Sequence, residues 1–144
     1  MAETDSWERI KEHLKLYRED PEAAHDWNPY GKTVTALLLT ASGRKTGKKR
    51  TRPLIYKKVD GNYVLVASMG GAPKNPSWYE NLVVNPDAEI QVKRDVIQVR
   101  ARTAVGAERE RLWTEMVALL PQYEEYQSRT DRRLPVVVLE PRQA

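Results

Sequence analysis

The segment Ser42–Arg52, which reads S-G-R-K-T-G-K-K-R-T-R, contains the residue types that point most directly to chemistry. Six of the nine residues from Arg44 onward are Lys or Arg, and Gly43 and Gly47 punctuate the segment. Arginine offers a fixed fork of donors and lysine a mobile point charge, so both bind phosphate oxygens well. We therefore expect this loop to bind an anion. A solvated hairpin that protects a sheet edge is the alternative interpretation.

A second candidate is the segment Ala67–Tyr79, which reads A-S-M-G-G-A-P-K-N-P-S-W-Y. A predicted strand ends at Ser68, and the glycines Gly70 and Gly71 would let a ligand approach the backbone. The helix start that follows has free N–H groups that favour negative or polar ligand atoms. The segment thus predicts a ligand seat, although an ordinary strand-to-helix turn has the same composition.

A third candidate is the pair Tyr123 and Tyr126, which would share one face of a helix because they lie three residues apart. A tyrosine hydroxyl has a reference pKa of about 10 and can donate a proton to a developing oxyanion. Plain packing is the alternative for such a pair. The spacing of the remaining residues indicates neither a serine, histidine and carboxylate set nor a G-x-x-x-x-G-K-[ST] phosphate loop.

Composition excludes several classes of function. The 144-residue chain has no cysteine, so disulfides, thiolate metal sites and cysteine nucleophiles are ruled out. With only His13 and His25, we expect no metal centre, and we interpret both histidines, like Trp7 and Trp113, as structural. One domain spanning residues 1–144 is expected at this length. The start of the chain lacks the pattern of a signal peptide and no apolar run could span a bilayer, so we expect a cytoplasmic protein.

The charge is unevenly distributed along the chain. The formal net charge is +4, yet no acidic residue occurs between Trp27 and Val59. The positive field is therefore local to the basic loop and its flanking strands, which favours a discrete ligand over nucleic acid. Nucleic-acid-binding modules usually have aromatic side chains that stack on the bases, and only Tyr56 lies close to the basic loop in sequence.

Periodic apolar residues predict three principal helices. The first, Asp5–Asp20, is amphipathic and is expected to pack on the core, with peripheral membrane contact as the alternative. The second begins with Asn75 as N-cap and Pro76 at the first helical position, ends at Asn85-Pro86, and bridges two sheets. The third runs from about Ala107 to Leu120.

Short β-branched and alternating runs predict five to six strands joined mostly by hairpins. They are Thr33–Thr40, Thr51–Val59, Asn62–Ser68, Ala88–Lys93, Val96–Thr103 and Leu134–Glu140. The hairpin between the fourth and fifth strands is expected to turn at Arg94-Asp95. Together with the helices, these runs predict an α+β domain in which a small antiparallel sheet closes into a barrel.

Three segments give the chain a close resemblance to a known family. They are L-L-L-T-A-S-G-R-K-T-G-K-K-R-T-R-P-L at 37–54, A-S-M-G-G-A-P-K-N-P-S-W-Y-E-N-L-V-V-N-P at 67–86, and Y-Q-S-R-T-D-R at 126–132. In their order and spacing they resemble the deazaflavin-dependent nitroreductase family of actinobacteria. This resemblance implies a split β-barrel, related to flavin-binding oxidoreductases, that uses the deazaflavin coenzyme F420 as hydride donor.

The resemblance also implies roles for individual residues. The phosphodiester and the start of the oligoglutamate tail of F420 would be held by Arg44, Lys45, Thr46, Gly47 and Arg50, and the outer glutamates by Lys48 and Lys49. The deazaflavin ring would lie along Pro53, Leu54, Val66, Ala67, Ser68 and Met69, with Trp78 and Asn81 closing the far side. The acceptor pocket, where an anion is stabilised or protonated, would be lined by Tyr126, Tyr123 and Ser68.

Four positions depart from the family pattern. Met69 replaces a lysine beside the ring, Arg52 an asparagine, Leu120 a third pocket tyrosine, and Arg129 a tryptophan. Because contacts that a wrong substrate leaves unpaired determine specificity, these departures affect the range of acceptors more than the coenzyme.

The expected reaction is hydride transfer from reduced F420 to a small electron-poor acceptor, namely a quinone, an activated alkene or a nitroaromatic ring. An FMN-binding split-barrel oxidoreductase and a non-catalytic coenzyme carrier are the alternatives. A nucleic-acid-binding module would instead require affinity that falls steeply with salt. The sequence leaves the oligomeric state and the physiological acceptor open.

Overall fold

A closed antiparallel barrel forms the centre of the molecule. The computed structural model describes residues 2–27 and 33–142, with side chains from residue 8 onward. The strands are β1 (Asp26–Trp27), β2 (Val34–Ser42), β3 (Lys49–Val59), β4 (Asn62–Val66), β5 (Asp87–Val92), β6 (Asp95–Thr103) and β7 (Val136–Pro141). Their order is β1-β2-β3-β4-β7-β6-β5, and an additional pairing of β2 with β5 closes the sheet. The predicted α+β barrel is thus confirmed.

Helices occupy the chain ahead of the barrel and two of its connections. They are α1 (Ala2–Glu19), α2 (Pro21–His25), α3 (Ser77–Val84), α4 (Gly106–Leu119) and α5 (Gln122–Ser128). A single 3-10 turn, Met69–Gly71, follows β4. The three principal predicted helices are present, whereas the short α2 and the two-residue β1 were not predicted because neither has a periodic apolar pattern of its own.

Two predictions about α3 are wrong. Pro76, not Asn75, occupies the N-cap position of the helix. The side chain of Asn75 is used elsewhere: its Nδ2 donates to Glu80 at 3.2 Å, and its Oδ1 accepts from Arg132 at 2.8 Å. The helix also does not bridge two sheets, because the strands form one closed sheet and α3 packs against β2 and β6 of the same barrel.

The hairpin between β5 and β6 turns one residue earlier than predicted. Strand β6 already begins at Asp95, so Lys93 and Arg94 form the turn. Lys93 has a positive φ of 54°, a backbone conformation that lets the chain reverse tightly. Its backbone N–H donates to the hydroxyl oxygen of Tyr17 at 2.9 Å, which ties this turn to α1.

Helix α1 packs on the outside of the barrel, as predicted. Tyr17 is fully buried, and its hydroxyl donates toward the carbonyl oxygens of Ala36 and Gln91 at 3.0 and 3.1 Å. His13 stacks on Trp27 with ring centroids 4.1 Å apart, and its Nε2 lies 2.9 Å from the carbonyl oxygen of Ala24. The side chain of Trp7 lies outside the described residues.

The core has two principal parts, one on each face of the sheet. Leu37, Leu65 and Ile90 fill the barrel interior, while Val64 and Met116 belong to a cluster between the outer face and α4. Successive residues of a strand point to opposite faces, which places the side chains of Val64 and Leu65 in different clusters. This alternation decides which predicted site residues face the same space.

Candidate active site at one end of the barrel

The antiparallel topology gathers the three candidate segments at one end of the barrel. Neighbouring strands alternate in direction, so the β2–β3, β4–β5 and β6–β7 connections emerge at the same end. These connections are residues 43–48, which form the turn of the basic loop, residues 67–86, which contain the glycine turn and α3, and residues 104–135, which contain α4 and α5. Segments that are far apart in sequence are therefore close in space.

The basic loop is a compact turn held by its own backbone. The N–H of Gly43 donates to the carbonyl oxygen of Lys48, and the N–H of Gly47 to that of Gly43, both at 2.8 Å. The hydroxyl oxygen of Thr46 accepts from the N–H of Lys48 at 3.2 Å. Gly47 has a φ of 73°, which favours glycine at this position. The exposed side chains of Lys45 and Lys48 therefore project from a fixed backbone.

Arg44 joins this loop to α3. Its backbone N–H and its Nη1 both donate to Oδ1 of Asn81, at 3.1 and 2.8 Å. Asn81 is 6% exposed, so the accepting oxygen is held within packed structure. The structure therefore brings together two residues that the resemblance assigns to the coenzyme, although they lie 37 positions apart.

A cavity of about 410 Å³ lies beside the basic loop. It is lined from four elements by Ile10, Lys11, Leu14 and Arg18 of α1, Leu39 and Ala41 of β2, Lys49, Arg50, Thr51 and Arg52 of β3, and Ser77, Trp78 and Asn81 of α3. Five lining residues are Lys or Arg and none is Asp or Glu. The lining therefore favours a ligand with several negative charges.

The register of β2 and β3 explains how arginine side chains reach this cavity. Leu39 pairs with Arg52, and Ala41 pairs with Arg50. Residues directly opposite each other in an antiparallel pair point to the same side of the sheet, so both arginines lie on the side of the barrel interior. Arg52 is partly buried, and the loss of solvent lowers the pKa of its guanidinium. A bound anion would offset that desolvation.

The turn after β4 brings three consecutive residues into left-handed backbone. Met69, Gly70 and Gly71 have φ angles of 47°, 63° and 83°. A Cβ on Gly71 would lie 2.4 Å from the carbonyl oxygen of Tyr126, whereas a Cβ on Gly70 would meet nothing within 4 Å. Gly71 is thus approached by α5 of the protein itself, and only Gly70 leaves backbone open to a ligand.

Arg132 fastens this glycine turn to the segment after α5. Its guanidinium donates to the carbonyl oxygens of Ala72 at 2.7 Å, Ser68 at 2.8 Å and Ala67 at 3.2 Å, and to Oδ1 of Asn75 at 2.8 Å. The sequence analysis missed this residue. The signal was present, since Arg132 closes the third motif, but nothing in the sequence indicates which carbonyl groups an arginine will reach.

The two predicted tyrosines pack in the same hydrophobic cluster but differ in burial. Their rings are 6.3 Å apart at an angle of 72°. Tyr123 is 4% exposed and belongs to the cluster between the barrel and α4, together with Val66. Tyr126 is only partly buried, and the guanidinium of Arg129 lies 5.4 Å from its ring centroid. Tyr126 is therefore the tyrosine nearer to the glycine turn and to solvent.

The residues expected along the coenzyme ring do not all face one space. Leu54 packs against the interior cluster to which Ala67 belongs, whereas Val66 belongs to the outer cluster. Pro53 precedes Leu54 in β3 and so points to the opposite face. A planar ligand that touched all four residues would therefore meet some of them through backbone atoms. Ser68, in contrast, is partly buried at the barrel end, beside the half-exposed Met69.

Residues 2–27 and 33–142 contain neither a membrane-spanning helix nor a cluster of metal-binding side chains. No helix in these ranges is long and apolar enough to cross a membrane. No group of three or more His, Asp or Glu side chains in the same ranges could hold a metal ion.

The chain is similar to a protein family and to a named mycobacterial relative. Residues 9–141 match the family model described as F420H(2)-dependent quinone reductase. A putative F420H(2)-dependent quinone reductase of Mycobacterium tuberculosis, Rv3178, is 42% identical over 113 residues, which are 78% of this chain and 95% of the relative.

Two solved structures extend the comparison. An F420-H2 dependent reductase, FDR-A, is 44% identical, with a TM-score of 0.68 over 73% of this chain and 93% of its own. A second structure, described as a domain-swapped dimer, is 37% identical with a TM-score of 0.70 and covers 95% of this chain and 99% of its own. The predicted split barrel and deazaflavin-dependent family are confirmed. The chain belongs to the F420H(2)-dependent quinone reductase family.

Proposed function

We propose that this protein uses the basic loop and the adjoining cavity to anchor reduced F420, and the glycine turn with α5 to bind a quinone and stabilise its reduced form. Membership of the family makes the chain an F420H2-dependent oxidoreductase. The residue assignment rests on one observation. The cavity has five cationic and no acidic lining residues, and it lies at the same end of the barrel as Ser68 and Tyr126.

The cationic residues of the proposed anion-binding site fit the coenzyme. F420 has a phosphodiester and an oligoglutamate tail, and a cavity lined by Lys and Arg supplies charge-assisted donors for both. In this proposal the phosphodiester and the start of the tail are held by Arg44, Lys45, Thr46, Gly47 and Arg50, with Trp78 and Asn81 on the α3 side. When bound, the reduced coenzyme supplies the hydride that the acceptor receives.

The chain's own residues position the acceptor and supply a proton. Arg132 fixes the carbonyl group of Ser68, and close backbone contact at Gly71 fixes Tyr126 relative to the same turn. In this proposal, Oη of Tyr126 and Oγ of Ser68 donate hydrogen bonds to the acceptor oxygen, and Tyr126 transfers the proton. General-acid catalysis of this kind contributes about 10²- to 10⁴-fold. Tyr123 packs behind Tyr126 and holds its helix in place.

The partners in this proposal are small molecules. Quinones are the first acceptors to test, and activated alkenes and nitroaromatic rings share their electron-poor character. A cavity of about 410 Å³ lined by five cations suits a discrete anionic coenzyme better than the extended backbone of a nucleic acid. The buried Tyr17 hydroxyl and its bonds to the barrel support a packing role for α1 in a cytoplasmic protein rather than membrane contact.

Fluorescence titration with F420 and, separately, with FMN tests the cofactor. We expect tight binding of F420 and weak binding of FMN, and tight binding of FMN alone would overturn the proposal. Neutralising Arg44 and Lys45 together should raise the Kd for F420 while turnover at saturating coenzyme stays largely intact. A collapse of saturated turnover would contradict the division between anchoring and catalysis.

A further inference from the structure

Helix α1 forms one wall of the basic cavity. Arg18 and Lys11 of α1 line the cavity together with Arg50 and Arg52 of β3. In sequence these pairs are separated by the whole of α2, β1 and β2. The basic lining is therefore not a property of the loop alone, because the helix that packs outside the barrel adds cations to the same space.

The backbone around Arg18 is held in place by its neighbour. The hydroxyl of Tyr17 makes three hydrogen bonds at 2.9 to 3.1 Å, to backbone groups of Ala36, Gln91 and Lys93. These partners lie on β2, on β5 and in the β5–β6 turn, so the last turn of α1 is fixed against the barrel. A side chain that starts from a fixed backbone loses less conformational freedom on binding.

In the described part of the chain, the arginines that line the cavity have no acidic partner. Among the described side chains, Arg18, Arg50 and Arg52 have no ion pair within 4.0 Å, whereas Lys11 pairs with Glu8 at 3.5 Å. Like charges around one cavity repel one another, and an anion between them removes that repulsion. Of the two α1 cations that line the cavity, Arg18 is therefore the one that can bind an external anion without first breaking an ion pair.

We infer that α1 is part of the coenzyme site: Arg18, acting with Arg50 and Arg52, binds a carboxylate of the oligoglutamate tail beyond the phosphodiester that the basic loop holds. This inference rests on the proposed function. The ligand class is a flexible chain with several carboxylates. A coenzyme with a single phosphodiester and no tail would leave Arg18 without its ligand.

Titrations of the whole protein with two forms of the coenzyme test the role of Arg18. One form has the full oligoglutamate tail, and the other has no glutamates. We expect Arg18→Gln to raise the Kd of the full-tail form about fivefold, the upper range for a solvent-exposed ion pair, and to leave the Kd of the tail-less form unchanged. Lys15→Gln, an exposed cation of α1 outside the cavity lining, is the matched control and should change neither Kd.

The contribution of Arg52 is tested in the same way. Arg52→Gln should weaken binding of the full-tail form more than that of the tail-less form, and Arg52→Lys should restore part of the difference because it keeps the charge. The difference between the two forms should shrink as salt is raised.

The outcomes separate this inference from the proposed function. If the unaltered protein binds both forms of F420 but Arg18→Gln affects them equally, or affects neither, the inference is wrong and the proposed function stands. If the unaltered protein binds neither form, the proposed function fails and the inference fails with it. A selective loss of full-tail binding in Arg18→Gln supports both.

Discussion

Gly71 offers the sharpest test of how the glycine turn and α5 are held together. In Gly71→Ala, the added Cβ would lie 2.4 Å from the carbonyl oxygen of Tyr126 and 3.0 Å from Cβ of Arg129. Alanine at a φ of 83° also costs about 1–2 kcal/mol through left-handed strain. Relieving the contact requires a shift of about 1 Å, and overpacking of this kind costs a further ~1–3 kcal/mol.

Gly70→Ala is the matched control for this substitution. Gly70 has a φ of 63°, so alanine there carries similar left-handed strain, but its Cβ would meet nothing within 4 Å. We therefore expect Gly70→Ala to lower the free energy of unfolding by about 1–2 kcal/mol and Gly71→Ala by about 2–5 kcal/mol. Urea denaturation monitored by tryptophan fluorescence measures both values.

The same pair of variants tests the catalytic assignment. Because the shift that relieves the contact moves the backbone of Tyr126, turnover at saturating coenzyme and quinone should fall in Gly71→Ala, by up to about 10²-fold for a displacement of about 1 Å. The Kd for F420 should change little, since the basic loop is untouched. Equal unfolding free energies in the two alanine variants, or unchanged turnover in Gly71→Ala, would refute the role assigned to this contact.

Three further changes have defined outcomes. Tyr126→Phe should lower saturated turnover by about 10²-fold or more with little change in coenzyme Kd, and unchanged turnover would remove Tyr126 as proton donor. Arg132→Met removes the hydrogen bonds to three carbonyl oxygens and to Asn75, although Ser68 keeps its bond from the Gly71 N–H, and it should cost more unfolding free energy and turnover than Arg132→Lys, as urea denaturation and steady-state assays will measure. Burial lowers the pKa of His13 below its ordinary 6.5. As pH falls below 6.5, His13 binds a proton more readily in the unfolded chain than in the folded protein, so the free energy of unfolding should decline. Denaturation midpoints measured between about pH 7 and about pH 5.5 should decline less in His13→Gln.

Local signals in the sequence predict most of the elements of this fold. Alternating runs place β3, β4 and β6, and apolar periodicity places α1 and α4, with boundaries that differ by a few residues. The closure of β2 onto β5 is different, because it pairs Leu39 with Ile90 across 51 positions. No local propensity encodes such a pairing, and here the barrel was anticipated from the hairpin pattern and the family resemblance rather than from the residues that meet.

The candidate site was predictable where its chemistry is local and less so where it depends on packing. The basic loop is visible as a charge cluster within 11 residues. The prediction for Asn75 failed because its side chain meets Arg132, 57 positions away, instead of capping its own helix. The position of Arg18 beside the cavity was not predictable for the same reason, since the apolar face of α1 indicates packing but not what its polar face will border.

Helix α3 and the residues just before it link the proposed anion site to the proposed acceptor site through two asparagines. Asn81 accepts a hydrogen bond from Arg44 of the basic loop. Asn75, which lies just before the helix, accepts one from Arg132, whose guanidinium also donates to the carbonyl oxygen of Ser68. Because both contacts are made from one short segment, the separation between the proposed phosphodiester site and the proposed proton donors depends on that segment. Substitutions that leave both contacts intact should therefore change the affinity for the coenzyme or the rate of reaction separately. Loss of either asparagine side chain should affect both quantities, whereas neutralising the Arg44 side chain keeps the bond from its backbone N–H to Asn81 and should affect affinity alone.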